Sequence, residues 1–328
     1  MNILITGGAG FLGQRVARAL LAQGDSVDAA GQRRPIKRIT LLDVAPPARP
    51  IEDPRIHFLR GEVTNHGAVA EALGLDTDGV FHLAAVVSGQ AEADFELGMR
   101  VNLDGTRLLL ESCRKAGNRP RVLFASSIAV FGTPLPEVLD DTTTPTPQAS
   151  YGAQKLMGEV LVADYNRRKF IDGRAVRIPT VSVRPGKPNA AASSFASAVI
   201  REPLNGVNYA CPVPPETLMW MCSPARVVAN LVRAYELPSE AFGDVRSLSL
   251  PGITVSVAQM IEALRKHGGD AAVARVRFFK DERIQAIVKT WAARLSTPRA
   301  LSMGFVHDAS MDEIVLQYIR DEGITAAA

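Results

Sequence analysis

MNILITGGAGFLG (1–13) runs an apolar strand, Asn2–Thr6, straight into a loop that carries Gly7, Gly8, Gly10 and Gly13. So many missing side chains have two explanations. Either a tight turn needs glycine for its dihedral angles, or something lies so close to the backbone that a Cβ would strike it. The strand is apolar at successive residues, as in a strand buried on both faces. A helical pattern over Phe11–Gln23 follows and stops at Gly24. Strand, glycine turn and helix in that order make the fingerprint of a dinucleotide site. One glycine makes the turn, Gly10 lets the main chain approach a diphosphate, and Gly13 brings helix close to strand. The helix N-terminus, opening with Phe11 and Leu12, adds unpaired N–H groups and a partial positive charge.

Working outward, RITLLD (38–43), IHFLRG (56–61), GVFHLAA (79–85), RVLFASS (121–127) and RAVRIPTVSV (174–183) read as further strands. Helical patterns fill the gaps, notably 94–117 and 151–168. The alternation predicts an α/β fold, a Rossmann-type doubly wound parallel sheet with helices on both faces. From Arg184 to Pro224 prolines and small polar residues crowd the chain. Regularity returns with a helix at 224–237, a strand at 245–250 and a helix at 256–268 with a glycine stop. The expected organisation is a dinucleotide-binding domain of 1–178 plus about 224–250. A smaller, interleaved C-terminal substrate domain takes 179–223 plus 251–328.

The bulk numbers narrow the function. The 328 residues suffice for one large or two modest domains. With a formal charge of +3, Lys and Arg spread along the chain, and only 6% aromatics, no nucleic-acid surface is signalled. No run reaches the roughly 18 consecutive apolar residues of a membrane span. The N-terminus enters a strand at once, unlike a signal peptide. Cys113, Cys211 and Cys222 are widely spaced and form no CxxC, and the five histidines show no metal-ligand spacing. They predict reduced thiols in a cytoplasmic protein without a metal.

A dinucleotide needs an acid for its ribose at the end of the second strand. Asp28 and Asp43 compete, and Asp43 ends the convincing strand, which makes 25–37 an insertion. A carboxylate there accepts bonds from both ribose hydroxyls and repels a 2′-phosphate, favouring NAD. Arg33 and Arg34, inside the insertion, are the argument for NADP. Tyr151 and Lys155 lie four apart in a helical pattern, one turn apart on one face. An ammonium beside a phenol favours the phenolate, so Tyr151 can take a proton from a substrate hydroxyl as hydride leaves its carbon. Ser126 and Ser127 end the fifth strand at the carboxyl edge of the sheet, where ligands bind. Either could orient the same oxygen.

At this point the chain resembles the extended short-chain dehydrogenase/reductases, which include sugar-nucleotide epimerases and dehydratases. TGGAGFLG (6–13), VFHLAA (80–85), VNLDGTRLLL (101–110), ASSIAVFG (125–132) and YGAQK (151–155) carry the resemblance over most of the first 180 residues. It implies Tyr151 as general acid/base, Lys155 as the partner of Tyr151 and of the nicotinamide ribose, Ser127 as catalytic serine, and Asn102 as the asparagine that shapes the active site. It also implies Ala84 and Ala85 beneath the cofactor and Gly61, Glu62 and Val63 near adenine. Glu62 departs from the usual aspartate. Pro179 and Thr180, within the sixth strand, are expected to complete the cofactor site. The resemblance further implies a homodimer paired through helices 94–117 and 151–168.

The second half, with PTVSVRPGKPNAAASSF (179–195) and WMCSPARVV (220–228), resembles a branch that oxidises a four-carbon sugar acid at its C2 hydroxyl. A small carboxylate needs a cation, and Arg184 can grip one with two parallel bonds. Ser88, Ser126, Ser127, Tyr151, Thr180, Asn189, Ser193 and Ser194 are candidates for the substrate hydroxyls. Two rival readings remain. One is an epimerase or dehydratase of a nucleotide-linked sugar with tightly held NAD, although SSIAVFG offers no acid beside the serine for dehydration. The other is a cofactor-sensing module without catalysis.

Overall fold

Seven strands build the central sheet of the computed structural model, which describes residues 1–186 and 192–324. They are β1 (Asn2–Thr6), β2 (Arg38–Asp43), β3 (Ile56–Arg60), β4 (Gly79–His82), β5 (Arg121–Ser127), β6 (Asp172–Ile178) and β7 (Ser247–Ser249). Their order is β7-β6-β5-β4-β1-β2-β3. The pairings from β5 across to β3 are parallel. Strand order therefore reverses beside β1, the crevice where doubly wound sheets bind ligands.

Helix α1 (Phe11–Gln23) buries Gly13, Val16, Ala17 and Leu20, a spacing of three and four that puts one face on the sheet. It ends at Gly24, whose φ of 81° and bond to Leu20 O close the last turn. Helix α2 (His66–Leu73) starts at Asn65, whose side chain accepts from Ala68 N. Leu4, Val80, Val122 and Phe124 of the sheet pack with Val69, Leu109 and Cys113 in one apolar cluster.

The insertion expected at 25–37 is a hairpin, Asp25–Val27 paired antiparallel with Arg33–Pro35. Two elements differ from the sequence reading. The single helix expected over 94–117 divides into Phe95–Gly98, a π-helical turn Met99–Asp104, and α3 (Gly105–Ala116). The expected strand 174–183 breaks at Pro179, which has no N–H for a ladder, and Thr180–Val181 pairs instead with Leu218–Cys222. The glycine stop expected at Gly268 is present, since Gly269, at φ 72° and ψ 173°, breaks the helical backbone within Val257–Val273.

The chain separates into two compact units. One comprises Met1–Val130, Ala149–Arg177 and Val228–Leu248; the other comprises Phe131–Gln148, Ile178–Val227 and Ser249–Ala328. The boundaries expected from sequence did not set Phe131–Gln148 apart. Its place in the second unit follows from bonds between Leu139 and the backbone of Arg294 and Ser296. That unit packs helices Phe195–Leu204, Val257–Val273 and Met311–Glu322 around Val199, Met221, Leu264 and Ile314. All three cysteines are buried and unlinked. No helix among the described residues is long and apolar enough to cross a membrane.

Candidate active site

The glycine turn answers its own question in two parts. Gly7 has φ of 67°, and a Cβ there would stand 2.8 Å from Ala84 N. At Gly13 a Cβ would stand 2.7 Å from Gly8 Cα. These glycines are demanded by the chain's own packing. Gly10 differs, since a Cβ would come only within 3.1 Å of Gly7 O. It precedes α1, whose first turn has neither a side-chain cap nor an acid. An uncapped helix N-terminus behind a residue without a side chain fits an approaching diphosphate, and the residues Phe11 and Leu12 supply its first N–H groups.

Asp43, ending β2, stands at this turn. Its carboxylate accepts from Ala9 N at 3.0 Å and from Val44 N at 2.8 Å. Asp28 is engaged elsewhere, closing the hairpin by accepting from Ala30 N and Gln32 N. Arg33 pairs with Asp25 and Glu236, and Arg34 with Asp28 and Asp78. The two cations that argued for a 2′-phosphate are thus committed to carboxylates. Gly61 donates to Asp43 O, at the end of the neighbouring strand. Glu62 is exposed and accepts from Thr64 Oγ1, whereas Val63 is buried against the Gly105 backbone. Only the backbone of Val63 is therefore left for a ligand.

Helix α4 (Ser150–Arg167) presents Tyr151 and Lys155 one turn apart. Lys155 is buried, and its Nζ donates to Ala125 O at 2.8 Å and lies 5.6 Å from the centre of the Tyr151 ring. Burial lowers its pKa to about 8, with Glu159 pulling it back up. Tyr151 is half-buried. Ser127 is half-buried at the end of β5, its Oγ accepting from Ala129 N. Ser126 does not fit the expected substrate contact. It is buried and donates to Glu159, which Arg177 grips with two nitrogens. Alternation along a strand sends neighbouring side chains to opposite faces, so only one of two serines can face an opening.

Asn102 lies in the π-helical turn and is buried. Its Oδ1 accepts from Val86 N, and its Nδ2 donates to Val86 O and to Gln154 Oε1. Both ends of the amide are engaged, so Asn102, expected to shape the active site, fastens the segment after β4. That segment includes Ala84 and Ala85, both half-buried, and Ser88, which opens the short helix Ser88–Ala93. Sequence reasoning gave no part to His82, Gln154, Glu159 or Arg177. Each is a polar side chain buried within an apolar pattern, and such a residue needs a partner.

In the second unit, Thr180 pairs with Met221, directly after Pro179. Arg184 is fixed through its backbone, its N–H donating to Ser197 Oγ and its carbonyl accepting from Arg201. Ser193 and Ser194 belong to a short turn at Ala192–Ser194. Asn189 lies outside the described residues.

Residues 3–221 match the model of the NAD dependent epimerase/dehydratase family. Over 324 residues, 99% of each chain, this protein is 54% identical to the D-erythronate dehydrogenase of Cupriavidus necator. It is 43% identical to the D-erythronate dehydrogenase of Haemophilus influenzae, over 97% of this chain and 99% of that one. A solved structure described as a nucleoside-diphosphate-sugar epimerase from Agrobacterium tumefaciens superposes with a TM-score of 0.92 at 41% identity, covering 99% of this chain and 95% of the other.

Proposed function

Because this chain belongs to the NAD-dependent epimerase/dehydratase family, we propose that it oxidises a small sugar acid at the C2 hydroxyl, D-erythronate to 2-dehydro-D-erythronate, with release of NADH and a proton. The observation that carries the substrate is near-full-length similarity to two relatives bearing that activity in their names. Bound at the glycine turn, NAD supplies the hydride acceptor. Gly10, Phe11 and Leu12 would meet the diphosphate at the turn that Gly7 and Gly13 shape, and Asp43 would take the ribose hydroxyls. Gly61, Glu62 and Val63 border adenine, while Ala84, Ala85, Pro179 and Thr180 border the rest of the dinucleotide.

Tyr151 takes the proton of the C2 hydroxyl as general base. Lys155, a buried cation 5.6 Å from the ring centre, favours the phenolate. Ser127 holds the same substrate oxygen. Asn102 acts through the backbone it fastens. Arg184 anchors the carboxylate, Ser88 and Thr180 bind hydroxyls, and the second unit, which carries Arg184 and Thr180, is the substrate domain. Phe95, Met157 and Val160 leave apolar groups exposed on the segments expected to pair, which supports a homodimer.

The epimerase named for the similar structure is the rival reading. Purified protein with NAD, assayed across four- to six-carbon sugar acids and nucleotide-linked sugars, separates the two. NADH should accumulate with D-erythronate in stoichiometric amounts. Isomerisation of a nucleotide-linked sugar without net NADH would replace this reading with the rival. Tyr151→Phe should lower turnover at least about a hundredfold, with NAD binding by titration unchanged.

A further inference from the structure

We propose that His82 is a positioning residue for the cofactor site, a neutral imidazole protonated at Nε2 that fastens the strand leading into the glycine turn to the helical segment bearing Asn102. The assignment follows from counting protons along a chain of hydrogen bonds. Thr106 Oγ1 donates its one proton to Asn102 O at 2.7 Å. Its 2.9 Å contact with His82 Nε2 must then be one in which the imidazole N–H donates. With a single ring proton on Nε2, Nδ1 is an acceptor, and its 2.6 Å partner Thr6 Oγ1 must be the donor. The other end agrees independently. Thr6 Oγ1 already accepts from Ala84 N at 3.3 Å, leaving its proton for His82.

The chain thus reads Ala84 N–H to Thr6, Thr6 O–H to His82, His82 N–H to Thr106, and Thr106 O–H to Asn102 O. It joins three segments. Thr6 precedes Gly7, Ala84 lies against Gly7, and Asn102 grips Val86. Each threonine hydroxyl in it accepts once and donates once, and each ring nitrogen takes a single role, so reversing the tautomer would leave the Thr6 proton without its acceptor and take the Thr106 proton from Asn102 O. The imidazole is buried, with the Phe124 ring tilted against it. Burial first, and then the Lys155 ammonium on α4, push its pKa down to about 3. The device needs a histidine because one ring accepts on one side and donates on the other across a fixed distance.

This rests on the reading that the glycine turn holds NAD, and the experiment keeps the two apart. With ¹⁵N-labelled histidine, two-bond proton–nitrogen spectra should show one imidazole locked as the Nε2–H form from pH 5 to 9. Its loss in His82→Gln assigns it, or, if that variant does not fold, its displacement in Thr106→Val. An Nδ1–H pattern, or titration between pH 5 and 8, overturns the proposal. Thr106→Val, which removes the hydroxyl and both of its hydrogen bonds, should raise the KM for NAD at least about twofold, while kcat stays within twofold. Thr106→Ser should restore the KM. A lowered melting temperature with unchanged KM would reduce His82 to a packing residue and overturn the positioning role. If the unmodified protein does not bind NAD in direct titration, the cofactor reading fails, and the positioning role with it, whatever the tautomer.

Discussion

Strand β6 begins and ends in buried ion pairs that look alike and serve different ends. At its start Asp172 takes Arg121, Arg174 and Arg246 together. At its end Arg177 grips Glu159. The three arginines of the first cluster also donate to backbone carbonyls. Arg121 and Arg174 donate to Tyr235 O, Arg174 also to Ala234 O and Leu237 O, and Arg246 to Gly173 O and Ser239 O. Several of these are the carbonyls left without partners where helix Pro224–Glu236 ends. The second cluster faces α4. Glu159 accepts from Ser126 and lies one turn beyond Lys155. Burial is common to both, so burial cannot mark chemistry. Adjacency to the proton-transferring groups can.

Breaking the first cluster should give the largest effect, on stability alone. Asp172→Asn leaves three buried guanidinium groups without their anion, a change of the kind that costs about 3–5 kcal/mol. Denaturant unfolding should show that loss, with kcat per folded molecule unchanged. A fall in kcat under conditions where the variant is fully folded would break the contrast between the two ends.

Lys155, beside the second cluster, should behave in the opposite sense. Its folded pKa of about 8 lies below the ordinary 10.5 because of burial. Below pH 8 the proton is held in both states, but in the folded state the charge is desolvated. Between 8 and 10.5 the unfolded chain binds more protons than the folded one, so the stability of the native protein rises with pH in that window. Lys155→Met should therefore be more stable at pH 7, by up to about 3 kcal/mol at 1.36 kcal/mol per unit, while turnover collapses. The advantage should vanish by pH 10.5. A variant that is less stable than the parent at pH 7 would show that Lys155 supports the fold as Asp172 does.

Much of this was legible in the sequence, and the gaps have physical reasons. Parallel strands buried on both faces are apolar runs, so β1, β2 and β5 stand out to the residue. Tyr151 and Lys155 are visible because a helix imposes a fixed spacing. The π-helical turn at Met99–Asp104 is not visible, since one added residue in a turn leaves the apolar pattern of 94–117 helical. The bonds of Asn102 to Val86 run to backbone atoms, which every residue has, so no residue type announces them. Pro179 was a signal in plain view, because a missing N–H breaks a strand whatever its neighbours. Strands Tyr209–Cys211 and Val276–Phe278 are too short for any period to register.

The smallest effect expected is also the sharpest test of the contrast. Glu159 is the anion that supports the Lys155 proton against burial. Glu159→Gln keeps the shape and an acceptor for Ser126 but removes the charge, leaving Arg177 and Lys155 as two cations facing a neutral amide. Lys155 should then lose its proton at lower pH. Once Lys155 is neutral, the phenolate of Tyr151 loses the cation that favours it, so the alkaline limb of kcat/KM, which reports the free enzyme, should move acidward by roughly one unit. Asp172→Asn, which removes an equally buried anion from the other end of the same strand, should leave that limb where it is. Coincident limbs for Glu159→Gln and the parent would mean that both clusters only hold the chain together, and a limb moved by Asp172→Asn would mean that the charge of either end is felt at the phenol.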